Sequence, residues 1–120
     1  GEGEGEGEEE SDSWELVYPS ESHPRAVAVG PADVERLRDP DAFLNDTLID
    51  FYLLYVTHQL LPRESARVHV LSTFFYAKLA QGGGQEAASA AHARVAAWTQ
   101  GVDVFSKDFV LVPVHLVAHW

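Results

Sequence analysis

The sequence predicts an α+β domain, with most of its helices ahead of a closing sheet. Three observations carry that reading. "FLNDTLIDFYLLYVTHQLLP" repeats its apolar residues at helical spacing. "QEAASAAHARVAAW" is alanine-rich, with its larger apolar residues on one face. "FVLVPVH", close to the end, is a continuous apolar run of strand length.

Residues 1–13 alternate Gly with Glu and then add Ser and Asp. They offer too little apolar surface to offset the entropy of ordering, so a disordered acidic tail is expected. From Trp14 the pattern changes. "WELVY" and "RAVAV" read as short strands. "GPADVERLRD" reads as a short helix, with Pro31 in its first turn and Pro40 closing it. The long helix has Asn45 as N-cap and Asp46 at the positive end of its dipole. Leu44 and Ile49 occupy staple positions. Leu48, Tyr52, Tyr55 and Val56 form a stripe that Ile49, Leu53 and Leu60 widen, so burial on most sides is expected until Pro62 ends the helix.

"VHVLSTFFYAKLAQGGG" passes from strand to helix at Ser72, a capping residue, with Leu71 and Tyr76 as a second staple. Gly82, Gly83 and Gly84 stop that helix. The alanine-rich helix follows, with Ala88, Ala91, Val95 and Trp98 on one face, and Gly101 ends it. "VDVF" and "FVLVPVH" read as the last two strands. The second is apolar on both faces and is expected inside a covered sheet.

The formal charge of −11 is unevenly placed. The tail through Asp12 holds seven of the nineteen acidic residues, which leaves a net −4 from Ser13 onward. Eight scattered bases do not make the clustered cationic surface that phosphate binding needs, so no nucleic-acid partner is expected. No apolar run approaches the roughly 20 residues of a membrane span, and no membrane partner is expected. The polar, acidic start matches neither a secretory signal nor a transit peptide. No Met opens the chain, so its natural start is expected upstream. The 120 residues contain no cysteine, which rules out disulfides, Cys-ligated zinc and a thiol nucleophile among them.

The ending "VLVPVHLVAHW" places two histidines four residues apart. Three readings stand on residue chemistry alone. On a helix this spacing would put both imidazoles on one face, as a zinc site needs, but the flank is β-rich and a third ligand is not evident. A histidine at a strand end is also commonly a hydrogen-bonded core or rim residue. Finally, a general base needs a firm hold and an open cleft, and the end of a buried strand supplies both. Phe74, Phe75 and Tyr76, at helical spacing, read as core or interface.

Taken in order, "LNDTLIDFYLLYV", "VHVLSTFFYAKL" and "VAAWTQGVDVFSKDFVLVPVHLVAHW" resemble the SUMO-specific cysteine proteases of the Ulp/SENP family, over roughly residues 27 to 120. The resemblance implies a papain-like fold, of which this chain would hold the helical part and the first strands. It implies a Cys-His-Asp triad, no cofactor and no metal. The implied activity is cleavage after the C-terminal diglycine of SUMO, both in precursors and in conjugates to lysine. His119 matches the family's catalytic base. Trp120 matches an aromatic that clamps the diglycine, and Phe43 stands where the family has a second clamping Trp. Asp46 matches a residue that contacts the modifier, and Phe74 lies in a block that faces it.

The sequence also departs from that pattern. The family's Asp, oxyanion-hole Gln and Cys all follow His-Trp, so residues 14–120 are expected to be the N-terminal portion of a catalytic domain, ending after its histidine. The stretch from Ala80 to Trp98 is longer than the family's, and Ala96 and Ala97 replace basic residues. Two alternatives accompany the enzyme: a non-catalytic module gripping a ubiquitin-like modifier through Phe43, Asp46 and the Phe74 region, or a protease for another modifier such as NEDD8. A nuclear location is implied by the resemblance alone.

Overall fold

The structure, a computed structural model, describes residues 13–120; the acidic tail expected at residues 1–13 lies, but for Ser13, outside them. The chain divides into two compact units, one through Tyr52 and the other from Leu53.

In the first unit β1 (Leu16–Tyr18) pairs antiparallel with β2 (Val27–Val29), Leu16 opposite Val29 and Tyr18 opposite Val27. Val29 is buried, and the Tyr18 ring meets Phe51 edge-on, with ring centroids 5.1 Å apart. Helix α1 (Pro31–Arg38) begins as the sequence predicts, with Pro31 where no N–H is needed. The Gly30 N–H donates to Asp33 Oδ2 at 2.9 Å, closing the helix start.

Helix α2 spans Asp46–Tyr55. Asn45 Oδ1 accepts from the Leu48 N–H at 2.9 Å, the bond expected of an N-cap. Asn45 Nδ2 donates to Asp33 Oδ1 at 2.8 Å, so one asparagine ties the starts of α1 and α2 together. Beyond Tyr55 the chain widens into a π-turn, Val56–Leu60, closed by the Leu61 N–H on the Val56 carbonyl at 2.8 Å. The Thr57 hydroxyl lies 3.1 Å from both the Leu53 and the Leu54 carbonyls, competing with the backbone ladder where it loosens. Pro62 has no N–H to continue it.

In the second unit β3 (Val68–Val70) and β4 (Phe109–Leu111) pair in parallel, Val68 opposite Phe109 and Val70 opposite Leu111. A parallel pair needs a long crossover, here made by α3 (Thr73–Leu79) and α4 (Ala88–Val95). Arg67 anchors the entry to this pairing: Nε donates to Asp108 Oδ2 and Nη1 to Glu64 Oε2, both at 2.5 Å. The Asp108 N–H returns to the Arg67 carbonyl at 2.9 Å. Val70, Leu71, Thr73 and Val95 are the buried centre of this unit, with Leu54.

Arg94 joins α3 to α4. Its Nη1 and Nη2 grip both carboxylate oxygens of Glu86, while Nε and Nη2 donate to the Lys78 and Leu79 carbonyls at 2.9 and 2.8 Å. These are carbonyls that the end of α3 leaves without intrahelical donors. The fork of the guanidinium can serve a carboxylate and a helix end at once. This clamp closes the glycine-rich connection, in which Gly83 takes a φ of +83°.

Four expectations are corrected. "VDVF" is no strand: Asp103 Oδ1 accepts the Phe105 N–H at 3.1 Å and folds Val104–Ser106 into a 3-10 turn. The alanine-rich helix begins at Ala88 rather than Gln85 and tightens into a 3-10 turn over Ala96–Thr99. The terminal strand is only Phe109–Leu111 and is exposed, because Pro113 lacks the N–H that would extend the ladder and among the described residues β4 pairs along one edge alone. The long helix is not buried on most sides either: Leu48 and Leu54 are buried and Tyr55 is half-buried, while Tyr52 and, beyond α2, Leu60 are exposed.

Candidate active site

The chain reverses on itself just before its last two residues. The Leu116 N–H donates to the His119 carbonyl and the His119 N–H to the Leu116 carbonyl, both at 2.8 Å. Val117 and Ala118 form the tip of this turn. Ala118 has a φ of +55°, the left-handed conformation that the second tip position of such turns can require. The two reciprocal bonds fix the main chain of His119 without using its side chain. His119 is exposed, and among the described residues no carboxylate hydrogen-bonds its imidazole. An imidazole on a backbone held this way is accessible to a reacting group and keeps both ring nitrogens for it and for an orienting partner.

Trp120, the next residue, is partly buried. Its indole stacks on the ring of His115, with centroids 4.5 Å apart and planes inclined by 20°. The two histidines of "HLVAH" therefore differ in use. Their spacing spans a tight turn and not a helical face, and His115 lies against Trp120. Among the described residues no group of three or more His, Asp or Glu side chains is arranged to hold a metal ion.

Phe74 sits in the first turn of α3, started by Ser72, whose Oγ accepts the Phe74 N–H at 3.1 Å. Its neighbour Phe75 packs against Trp98, ring centroids 6.0 Å apart. That packing leaves the Phe74 side chain turned out, 57% exposed. An exposed ring on a short, capped helix is positioned for a partner more than for the core.

Phe43 and Asp46 belong to the first unit. The Phe43 carbonyl accepts from Arg36 Nη1 at 2.8 Å, and its ring is 61% exposed. Asp46 opens α2 directly after the Asn45 cap, where the partial positive charge of the helix start favours a carboxylate. The hydrogen-bonded series Gly30–Asp33–Asn45 thus holds the segment carrying both residues.

Two groups escaped the sequence reading. His115 was legible only as a possible ligand, and its pairing with Trp120 needs the turn at Val117 and Ala118 to be known. Arg94 and Glu86, eight residues apart, fit neither helical spacing nor strand alternation, so no local signal marks their pairing.

Comparison with known proteins is consistent across three kinds of match. Residues 42–120 match the family model described as the Ulp1 protease family, C-terminal catalytic domain. The chain is 41% identical over 119 residues to a protein of Arabidopsis thaliana named "Probable ubiquitin-like-specific protease 2A", covering 92% of this chain and 15% of that protein. It is 38% identical over 113 residues to Sentrin-specific protease 6 of Mus musculus, covering 88% of this chain and 10% of that one. It spans, then, about a tenth to a sixth of the length of these relatives. A crystal structure of a de-sumoylating protease superposes with a TM-score of 0.66 at 27% identity, over 88% of this chain and 39% of the other. The mixed helix-and-sheet fold is that protein's fold over the shared part.

Proposed function

The chain belongs to the Ulp1 protease family, and from that premise we propose that it forms part of a cysteine peptidase acting on SUMO. The bond cleaved is the one after the modifier's C-terminal diglycine, in precursors and in conjugates to lysine. The observation that carries this is the backbone-held, exposed His119 beside Trp120, within the residues that match the family model.

His119 is the general base in this reading. It takes the proton of a thiol, and the thiolate attacks the carbonyl of the second glycine. The imidazolium then returns the proton to the leaving amine, and water releases the modifier from the thioester. These 120 residues contain no cysteine, so the thiol belongs to residues outside them. The carboxylate that orients the imidazole comes from outside them too, by the general logic of such triads. Trp120 lies against the diglycine, where any residue with a side chain would collide with it. Asp46 and the exposed rings of Phe43 and Phe74 contact the modifier. No cofactor enters the reaction.

The 120-residue chain alone is accordingly without peptidase activity, while the longer protein that contains it cleaves a SUMO precursor. Incubation of each with precursor is the test. Cleavage by the 120 residues themselves would sink the triad assignment, and failure of the longer protein would sink the enzyme. The exposed rings of Phe43 and Phe74 also fit a second reading, a non-catalytic module that binds SUMO or a related modifier through Phe43, Asp46 and Phe74. Binding without cleavage by the longer protein would select it. Preference for NEDD8 over SUMO in the same assay would change the substrate and keep the chemistry. A nuclear location goes with the family resemblance, and a fluorescent fusion of the longer protein excluded from nuclei would remove it. Among the described residues no helix is long and apolar enough to cross a membrane.

A further inference from the structure

His115 and Trp120 flank the Leu116–His119 pair, one residue before it and one after. In an antiparallel ribbon the residues next to a hydrogen-bonded pair form a closer, non-hydrogen-bonded pair whose side chains lean on each other. The rings follow that geometry, nearly parallel with centroids 4.5 Å apart. His115 is exposed, so burial does not explain an aromatic ring at this place, and its ring lies on the indole face. A flat ring stacked on one face of the indole restricts how far it can swing.

We propose, resting on the reading that Trp120 lies against the modifier's diglycine, that His115 is a positioning residue for that substrate contact. It acts only through Trp120. It holds the indole at the angle at which the tail is gripped, and it takes no part in proton transfer to or from the thiol. The same turn therefore carries two histidines with separate duties: His119 meets the thiol, and His115 sets the aromatic wall.

The test is a double-mutant cycle on kcat/KM in the longer protein that supplies the thiol, with a SUMO precursor as substrate. A stacked aromatic pair is worth enough to alter a rate roughly two- to tenfold, and His115→Ala is expected to lower kcat/KM by that factor. In a Trp120→Ala background the same change is expected to have no further effect. His115→Phe restores the flat contact and most of the activity, whereas His115→Leu fills similar space without restoring it. The rate at which iodoacetamide alkylates the thiol stays unchanged in the three single His115 variants. Equal losses in both backgrounds, or equal rescue by Leu and Phe, would overturn the proposal. The Phe and Leu variants carry the comparison where His115→Ala does not fold. If the parent protein cleaves no precursor, the enzymatic reading fails on its own. The stack is then judged by the Trp120 indole N–H resonance, which His115→Leu must shift and His115→Phe must largely preserve; an indole indifferent to both would overturn the contact itself.

Discussion

Phe74 and Phe75 stand next to each other in α3, and their substitution by alanine should have opposite consequences. Phe75 is partly buried against Trp98, which is itself 40% exposed. A fully buried Phe→Ala change costs about 3–5 kcal/mol. Partial shielding removes roughly half of that, and the lost ring pair, inclined at 58°, adds about 0.5–1 kcal/mol. Phe75→Ala should therefore cost about 2–3.5 kcal/mol. Phe74 is 57% exposed, and Phe74→Ala should fall within about 0.5 kcal/mol of the parent. Urea unfolding reads the difference. With a slope of about 1.5 kcal/mol/M, Phe75→Ala shifts the midpoint by roughly 1.3–2.3 M and Phe74→Ala by less than about 0.4 M. Titration with SUMO should then reverse the order at urea-free conditions: Phe74→Ala weakens binding, and folded Phe75→Ala binds nearly as the parent does. Equal midpoints for the two variants would refute the assignment of one ring to packing and the other to the partner. So would a Phe74→Ala protein that binds as tightly as the parent.

The Arg94 clamp makes a pH prediction. Hydrogen bonding to Arg94 holds the Glu86 carboxyl below its ordinary value of 4.5. Its contribution to stability is therefore fully present above that value and is lost as pH falls through the lower folded one. Melting curves between pH 7 and 3 should show an acid-side loss that Arg94→Met diminishes. Gly82→Ala should imitate the loss of the clamp, because a Cβ there would fall 2.0 Å from Glu86 Oε2, whereas Gly84→Ala, with open space around it, should leave the melting temperature nearly unchanged. Asn45→Ala removes both the α2 cap and the bond to Asp33 and should cost about 1–2 kcal/mol in urea unfolding; a Ser at this position should recover most of the capping part.

Elements whose start is written in one residue were legible in the sequence. Asn45, Ser72 and Pro31 begin helices where their side-chain chemistry requires it. The apolar runs "LVY", "VAV" and "VHV" became strands. The errors came where a polar side chain competes with the periodic pattern. Asp103 folded an alternating "VDVF" into a turn, and Thr57 with Pro62 turned the end of a helix into a π-turn. The last strand stops at Leu111, short of the apolar run, because Pro113 lacks the N–H that would extend the ladder. For the candidate site, the sequence nominates residues but not their surroundings. His119 and Trp120 are nominated by the order of the motifs in the chain. What holds them, the Leu116 backbone and the His115 ring, depends on a two-residue turn with a left-handed alanine, and alanine carries no turn signal of its own.

The proposed role of His119 is that of the base that makes a thiolate. The measurement that tests it most directly is the pH dependence of thiol alkylation by iodoacetamide in the longer protein, comparing the parent with His119→Ala and Trp120→Ala. A thiol paired with an imidazole reacts well below its free pKa of about 8.5. The parent should thus alkylate rapidly at neutral pH. His119→Ala should need alkaline pH to reach the same rate and should lose cleavage by several orders of magnitude. Trp120→Ala should alkylate as the parent does, or faster, while cleaving poorly. An unchanged alkylation profile and intact cleavage in His119→Ala would make His119 a structural histidine and contradict the account.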